Sequence, residues 1–182
     1  MNLIRNGLKK IMLIKEPELI SIKENKVTLI KNFALLERKY DFNLLSQLME
    51  ENSLEIVNKT NGGNLKDVFQ MFAVNNCLEE FKTFSEFLRR LLKYERDERD
   101  NIDMFLSFVS QVGNTHVDIE DVFIIGLEGK TIYRVYSNIN EDYTIEKGDM
   151  IFIPKDLKHK VIGLTPRIIA SIGFYGRRIQ KL

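Results

Sequence analysis

The 182-residue chain has a single cysteine, Cys77, no tryptophan and only two histidines. One cysteine excludes an intrachain disulfide and is typical of proteins in a reducing compartment. Basic and acidic side chains nearly cancel, 27 against 26, so the net charge gives no global attraction to nucleic acid or membranes. No apolar run reaches a membrane-spanning length, and the first twenty residues lack the long apolar core of a signal peptide. We therefore expect a cytoplasmic globular protein.

Residues 1–103 mix helical and strand-like patterns. Residues 19–22 and 26–30 are predicted to form short strands, and residues 41–52 a helix. A second helix is expected over residues 83–93, where Thr83 precedes a glutamate by three positions in a capping-box pattern and five apolar side chains share one face. The charged run 94–103 is predicted to be a solvated helix end or loop.

From Met104 the apolar period changes from helical to alternating. The runs MFLSFVSQV, VFIIGL, TIYRVY, YTIEKGDMIFIP, KVIGL and RIIASIGFY are short, regularly spaced and separated by turn residues. This pattern is typical of an antiparallel barrel or sandwich. We expect an α+β, mainly β fold in one domain, 1–182, with a mixed N-terminal part (1–103) packed on a β-barrel core (104–176).

Both histidines fall into one pattern with an aspartate. His116 and Asp118 are two residues apart, so on a regular strand their side chains share one face. His159 follows a Gly-Asp turn, a short apolar run and Pro154. Two imidazoles and one carboxylate on barrel strands form the facial triad that holds Fe(II) and leaves positions open. The same set also accepts Mn, Co, Ni or Zn, because affinity alone does not select the metal.

Residues 104–175 resemble the cupin-type JmjC oxygenases, especially the ribosomal-protein hydroxylases and the asparaginyl hydroxylase of hypoxia-inducible factor. The matching stretches are THVD (115–118), DVFIIGLEG (121–129), YRVY (133–136), GDMIFIP (148–154), His159 and SIGF (171–174). TFSEFL (83–88) resembles the helix before the barrel in that family. The resemblance implies a double-stranded β-helix (jelly-roll) barrel, with His116, Asp118 and His159 as Fe(II) ligands and 2-oxoglutarate and O₂ as cosubstrates.

One position departs from this family. Its members bind the far carboxylate of 2-oxoglutarate with a basic residue two positions after the glycine that matches Gly129, where this chain has Thr131. A hydroxyl cannot supply a charge-assisted pair. Arg167, on the strand after the distal histidine, is the predicted replacement, because many related 2-oxoglutarate oxygenases bind the carboxylate there and a guanidinium suits it. Lys130 is the fallback, although it is expected on the opposite strand face. Ser107 and Thr131 could add hydroxyl contacts.

The leading hypothesis is a 2-oxoglutarate-dependent hydroxylase of a protein or peptide side chain or of a small molecule. One alternative is a cupin metalloenzyme that uses the same triad without 2-oxoglutarate, for which Thr131 is the motivation. The other is a non-catalytic metal-binding module, against which the cost of burying unliganded polar groups argues. The resemblance does not extend to the family's additional substrate-recognition regions, so substrate and oligomeric state stay open.

Overall fold

Short β-strands dominate the protein from residue 101 onward, as the alternating pattern predicts. The computed structural model describes residues 8–11, 14–36, 41, 43, 56–58, 72–75, 79–107 and 112–179. The helices delimited there are α1 (Glu16–Lys23) and α2 (Glu79–Leu92). The strands are β1 (Leu8–Ile11), β2 (Thr28–Ile30), β3 (Ala34–Leu36), β4 (Ile56–Asn58), β5 (Phe72–Asn75), β6 (Asn101–Ser107), β7 (Asp121–Glu128), β8 (Thr131–Tyr136), β9 (Asn140–Ile145), β10 (Met150–Ile153), β11 (His159–Gly163) and β12 (Arg167–Phe174).

The strands form a large and a small antiparallel sheet, with β1 and β3 paired separately. The seven-stranded sheet has the order β2-β10-β7-β12-β6-β5-β4, and the three-stranded sheet has the order β11-β8-β9. Both orders are non-consecutive, because the chain crosses between sheets as a jelly roll does. The fold is a double-stranded β-helix, which confirms the predicted α+β, mainly β class.

Both faces of the large sheet are buried. Strand β7 shows this directly, since Phe123 and Ile125 join one apolar cluster while Val122 and Ile124 join another. The first cluster also contains side chains of α1 and α2, and the second contains β8 and β11 side chains. The second cluster is therefore the barrel interior, and the helices cover the outer face.

Helix α2 confirms the predicted helix but begins earlier. Its apolar face buries Phe84 and Leu88 completely, against Phe33 and neighbouring sheet residues. It starts at Glu79, so Thr83 lies within the helix and the predicted capping box is wrong. Among the described residues, none of the helices combines the length and apolar character that crossing a bilayer requires.

The other local predictions for residues 1–103 agree only in part with the structure. Residues 19–22 are helical rather than extended, because α1 has Pro17 and two glutamates in its first turn and Lys15 N–H donates to Glu18. In the charged segment 94–103, Tyr94 is buried and strand β6 begins at Asn101. The prediction of a solvated helix end or loop is therefore wrong at both ends of this segment. Strand β2 confirms the predicted strand 26–30 over residues 28–30 only. The predicted helix 41–52 lies outside the described residues apart from 41 and 43.

The small sheet determines what faces the barrel interior. Along β8, Thr131, Tyr133 and Val135 are buried, while the residues between them are partly exposed. Their partners on β11 are Gly163, Val161 and His159, in that order. One end of this inner face therefore carries His159 and the other end carries Gly163.

Candidate metal centre

The only two histidines meet directly. His116 lies outside any regular strand, contrary to the prediction, but it forms an isolated β-bridge with His159 through two N–H···O bonds of 2.9 Å. Asp118 follows, with its carboxylate 3.7 Å from His116 Nε2 and 3.4 Å from His159 Nε2. All three candidate ligand atoms lie within 4.8 Å of one another.

Backbone carbonyls orient both imidazoles. Nδ1 of His116 lies 2.9 Å from the Asn114 carbonyl, and Nδ1 of His159 lies 3.0 Å from the Leu157 carbonyl. A carbonyl only accepts hydrogen bonds, so each Nδ1 carries the proton and each Nε2 keeps a free lone pair. Burial lowers the pKa of His159 and favours its neutral form. A neutral imidazole with Nδ1–H bonded to a carbonyl is the usual state of a metal-ligating histidine.

The donor set fits a divalent transition-metal ion. Ligands about 2.1 Å from an ion, at right angles to each other, are about 3 Å apart. Asp118 Oδ1 lies 3.7 Å from His116 Nε2 and Oδ2 lies 3.4 Å from His159 Nε2, so the three side chains would draw together slightly around an ion. The His159 side chain is only 2% exposed, whereas that of His116 is 46% exposed. One side of the set is therefore packed on the barrel, and the other is accessible to further ligands.

A buried cation lies at the other end of the same inner face. Arg167, the first residue of β12, is 2% exposed, and Ser107 opposite it on β6 is fully buried. The guanidinium lies against the backbone of Gly163, where a Cβ would be 1.6 Å from Nη1. Thr131 is paired with Gly163 and is also buried. The structure thus brings Arg167, Thr131, Ser107 and Gly163 together.

Lys130 lies apart from this group. Its side chain is 44% exposed, and its ammonium group is 2.5 Å from the carboxylate of Glu146. Thr131 is the first residue of β8 and is buried, whereas Lys130 precedes the strand and is partly exposed. Lys130 is therefore apart from the buried group around Arg167.

Tyr133 is an interior polar residue that the sequence reasoning missed. It is 1% exposed and belongs to the interior apolar cluster. Burial raises the pKa of the Tyr133 hydroxyl. The charge of Arg167 lowers this pKa and the charge of Asp118 raises it, so both charged groups act on the same hydroxyl. Its position two residues after Thr131 on an alternating strand was the available signal.

No protein-family model matches the chain. No curated protein matches it either.

Solved structures match it at low identity. A structure of Escherichia coli YcfD has a TM-score of 0.64 at 16% identity, covering 97% of this chain and 56% of that one. Another, described as a ribosomal oxygenase, has a TM-score of 0.64 at 19% identity, covering 97% and 54%. A third, of YcfD in complex with cobalt and 2-oxoglutarate, has a TM-score of 0.57 at 19% identity, covering 86% and 49%. This chain thus spans about half the length of these proteins, and it shares their fold.

Proposed function

We propose that this chain is an Fe(II)- and 2-oxoglutarate-dependent oxygenase that hydroxylates a side chain of a protein or peptide, or a small molecule. The observation that carries the proposal is the convergence of His116, Asp118 and His159, with their ligand atoms within 4.8 Å of one another. The buried cation Arg167, which packs on Gly163 inside the barrel, adds a partner for an acidic cosubstrate.

The two histidines and the aspartate would hold the iron on one side. Three protein ligands leave the other positions for a keto acid and O₂, and the bound iron supplies the oxidising chemistry. The carbonyls of Asn114 and Leu157 bind Nδ1 of the two rings, which would leave both Nε2 atoms free to bind the ion. Because these bonds exist before any ligand binds, the two imidazole rings would need little reorientation to take up metal.

Arg167 would hold the far carboxylate of 2-oxoglutarate. His159 and Gly163 are four residue steps apart on β11, so the iron end and the guanidinium end lie about 13 Å apart along the strand before side chains reach inward. A five-carbon diacid, bound to iron at one end and hydrogen-bonded at the other, suits such a gap. The hydroxyls of Tyr133 and Thr131 lie along it and would add donors, and Ser107 borders the guanidinium.

The interior around this path is apolar. Ile124, Ile151, Val161 and Ile169 are all in the cluster that contains Tyr133. Such walls exclude water from the cosubstrate and strengthen the pairing of its carboxylate with a guanidinium. They also limit competing reactions of an oxidising iron site.

The substrate would approach from the accessible side of the triad. Val117 and Ile119 flank Asp118 in sequence and are 48% and 66% exposed, so the approach has apolar as well as polar surface. The structural neighbour is described as a ribosomal oxygenase, which supports a protein substrate as the first class to test. We propose a cytoplasmic location, which the single cysteine supports.

The test is aerobic conversion of 2-oxoglutarate to succinate by the iron-loaded protein. We expect turnover in the wild type, stimulation by a peptide substrate, and loss of turnover in His159→Ala. The matched control is Asp142→Ala, which removes an exposed carboxylate paired with Arg134 on the outside of the barrel. Iron binding without 2-oxoglutarate binding would favour the cupin enzyme that uses the triad alone. Metal binding with no O₂-dependent reaction would favour a non-catalytic module.

A further inference from the structure

A buried carboxylate near the metal centre joins three parts of the chain. Asp121, the first residue of β7, accepts the backbone N–H of Lys155 at 2.9 Å. Its other oxygen accepts the Tyr94 hydroxyl at 2.6 Å and lies 3.3 Å from Arg178 Nε. The side chain is only 8% exposed. None of these contacts involves a candidate metal ligand directly.

The loop that Asp121 holds carries the groups that orient two ligands. Asp156 N–H donates to the Asp118 carbonyl at 2.8 Å, and the Leu157 carbonyl accepts Nδ1–H of His159. The loop at 155–157 is thus joined to the segment 118–121 at two neighbouring points. One point is the backbone of a ligand, and the other is the Asp121 carboxylate.

We propose that Asp121 is a positioning residue for the metal centre. It fixes loop 155–157 against segment 118–121, and this sets the distance between Asp118 and His159 before metal arrives. The inference rests on the proposed function only in taking these residues as metal ligands. Outer contacts that orient ligands typically change metal affinity by roughly 10- to 100-fold when removed.

The surroundings of Asp121 keep its charge in place. Arg178 balances the carboxylate and packs its guanidinium 5.5 Å from the ring centres of both Tyr94 and Phe152. Arg178 Nη1 also donates to the Ile22 carbonyl. Arg178, near the C-terminus, thus contacts the same carboxylate that binds the backbone of loop 155–157.

Asp149 offers a matched control. It is also buried, with a side chain 3% exposed, and it accepts backbone N–H groups of Asn32 and Glu146 at 2.9 Å while pairing with Lys31. It differs from Asp121 in lying at the opposite end of β10 from loop 155–157.

We expect Asp121→Ala to weaken Co(II) binding by roughly 10- to 100-fold, as measured by the visible absorption of bound Co(II). Asp149→Ala should destabilise the fold but leave the Co(II) affinity within about twofold of wild type.

Removing one partner of a buried charge pair can prevent folding, so a second variant is needed. Asp121→Ala/Arg178→Met removes both charges, keeps an apolar stem beside the aromatic rings, and should lose Co(II) affinity to the same extent.

A second readout uses the metal-free protein. The ¹⁵N NMR shifts of His159 should report Nδ1–H in wild type and Asp149→Ala, and a mixture of tautomers once the loop is released. Unchanged affinity and tautomer in the folded double variant would overturn the inference.

The outcomes separate the two proposals. A wild-type protein that binds no Co(II) would contradict the metal centre itself. Wild-type binding that persists unchanged in both Asp121 variants would leave the metal centre standing and remove only the positioning role.

Discussion

Gly163→Ala tests the carboxylate-binding role of Arg167 without touching Arg167. The new Cβ would lie 1.6 Å from Nη1 and 2.2 Å from Cζ, whereas ordinary contacts begin at 3.4 Å, so the guanidinium must move by about 1.8 Å. A hydrogen bond does not survive a displacement of that size. A bond to a charged group contributes roughly 1.5–3 kcal/mol, so 2-oxoglutarate affinity should fall by roughly 10- to 150-fold.

The assay is anaerobic titration of 2-oxoglutarate into the Mn(II)-loaded protein. The backbone of Gly163 does not have a positive φ and the clash is with the end of a flexible side chain, so thermal stability should change little. Gly113→Ala is the control, since its Cβ would approach nothing closer than 3.4 Å. Affinity in Gly163→Ala equal to that of Gly113→Ala would refute the reasoning. Loss of binding in Lys130→Ala, with Arg167→Ala unaffected, would transfer the role to Lys130.

Three further predictions follow from the same structure. Tyr133→Phe should raise the KM for 2-oxoglutarate several-fold while leaving Mn(II) affinity unchanged, and an unchanged KM would remove its hydroxyl from the cosubstrate site. Phe84→Ala should lower the free energy of unfolding by about 3–5 kcal/mol in denaturant titration, yet the folded variant should still bind metal, because this ring packs on Phe33 outside the barrel. Burial and the Asp121 charge raise the pKa of Tyr94, so its stabilising contribution is complete below about pH 10 and declines above it. Stability measured against pH should therefore fall less steeply above pH 10 in Tyr94→Phe, and an identical slope would contradict this assignment.

The convergence of the candidate metal ligands could be predicted from sequence because their chemistry is carried by residue type. His116 and His159 are the only histidines, and the runs around them alternate with a period of two. The backbone between His116 and Asp118 was predicted wrongly as a regular strand, but the reciprocal bonds with His159 still bring the side chains together. A facial triad tolerates this difference, because only the ligand atoms need to converge.

The sequence could rank Arg167 above Lys130, but it could not establish that the Arg167 side chain lies inside the barrel. This side chain enters the barrel because Gly163, on a strand of the other sheet, leaves the space that a Cβ would fill. That fit depends on the packing of two sheets, and a single sequence does not encode it locally. The Asp121 contacts were missed for the same reason, because Tyr94 and Arg178 are remote from it in the chain.

The local errors in the N-terminal part have a simple cause. Three of residues 19–22 are branched apolar residues, so the run matches a short strand when read alone. The first-turn features of α1, Pro17 and Glu18, lie just before them and start a helix there. Short apolar runs do not distinguish the two structures, and the flanking residues decide.

The central claim is that one iron ion and 2-oxoglutarate bind together at the triad, and its most direct test is anaerobic absorption spectroscopy. Fe(II) chelated by a 2-keto acid has a visible charge-transfer band that neither component has alone. We predict that this band appears in the wild type when both are added, is absent in Asp118→Ala, and requires more 2-oxoglutarate in Gly163→Ala. Stoichiometric Fe(II) binding in the wild type with no band at saturating 2-oxoglutarate would contradict the account.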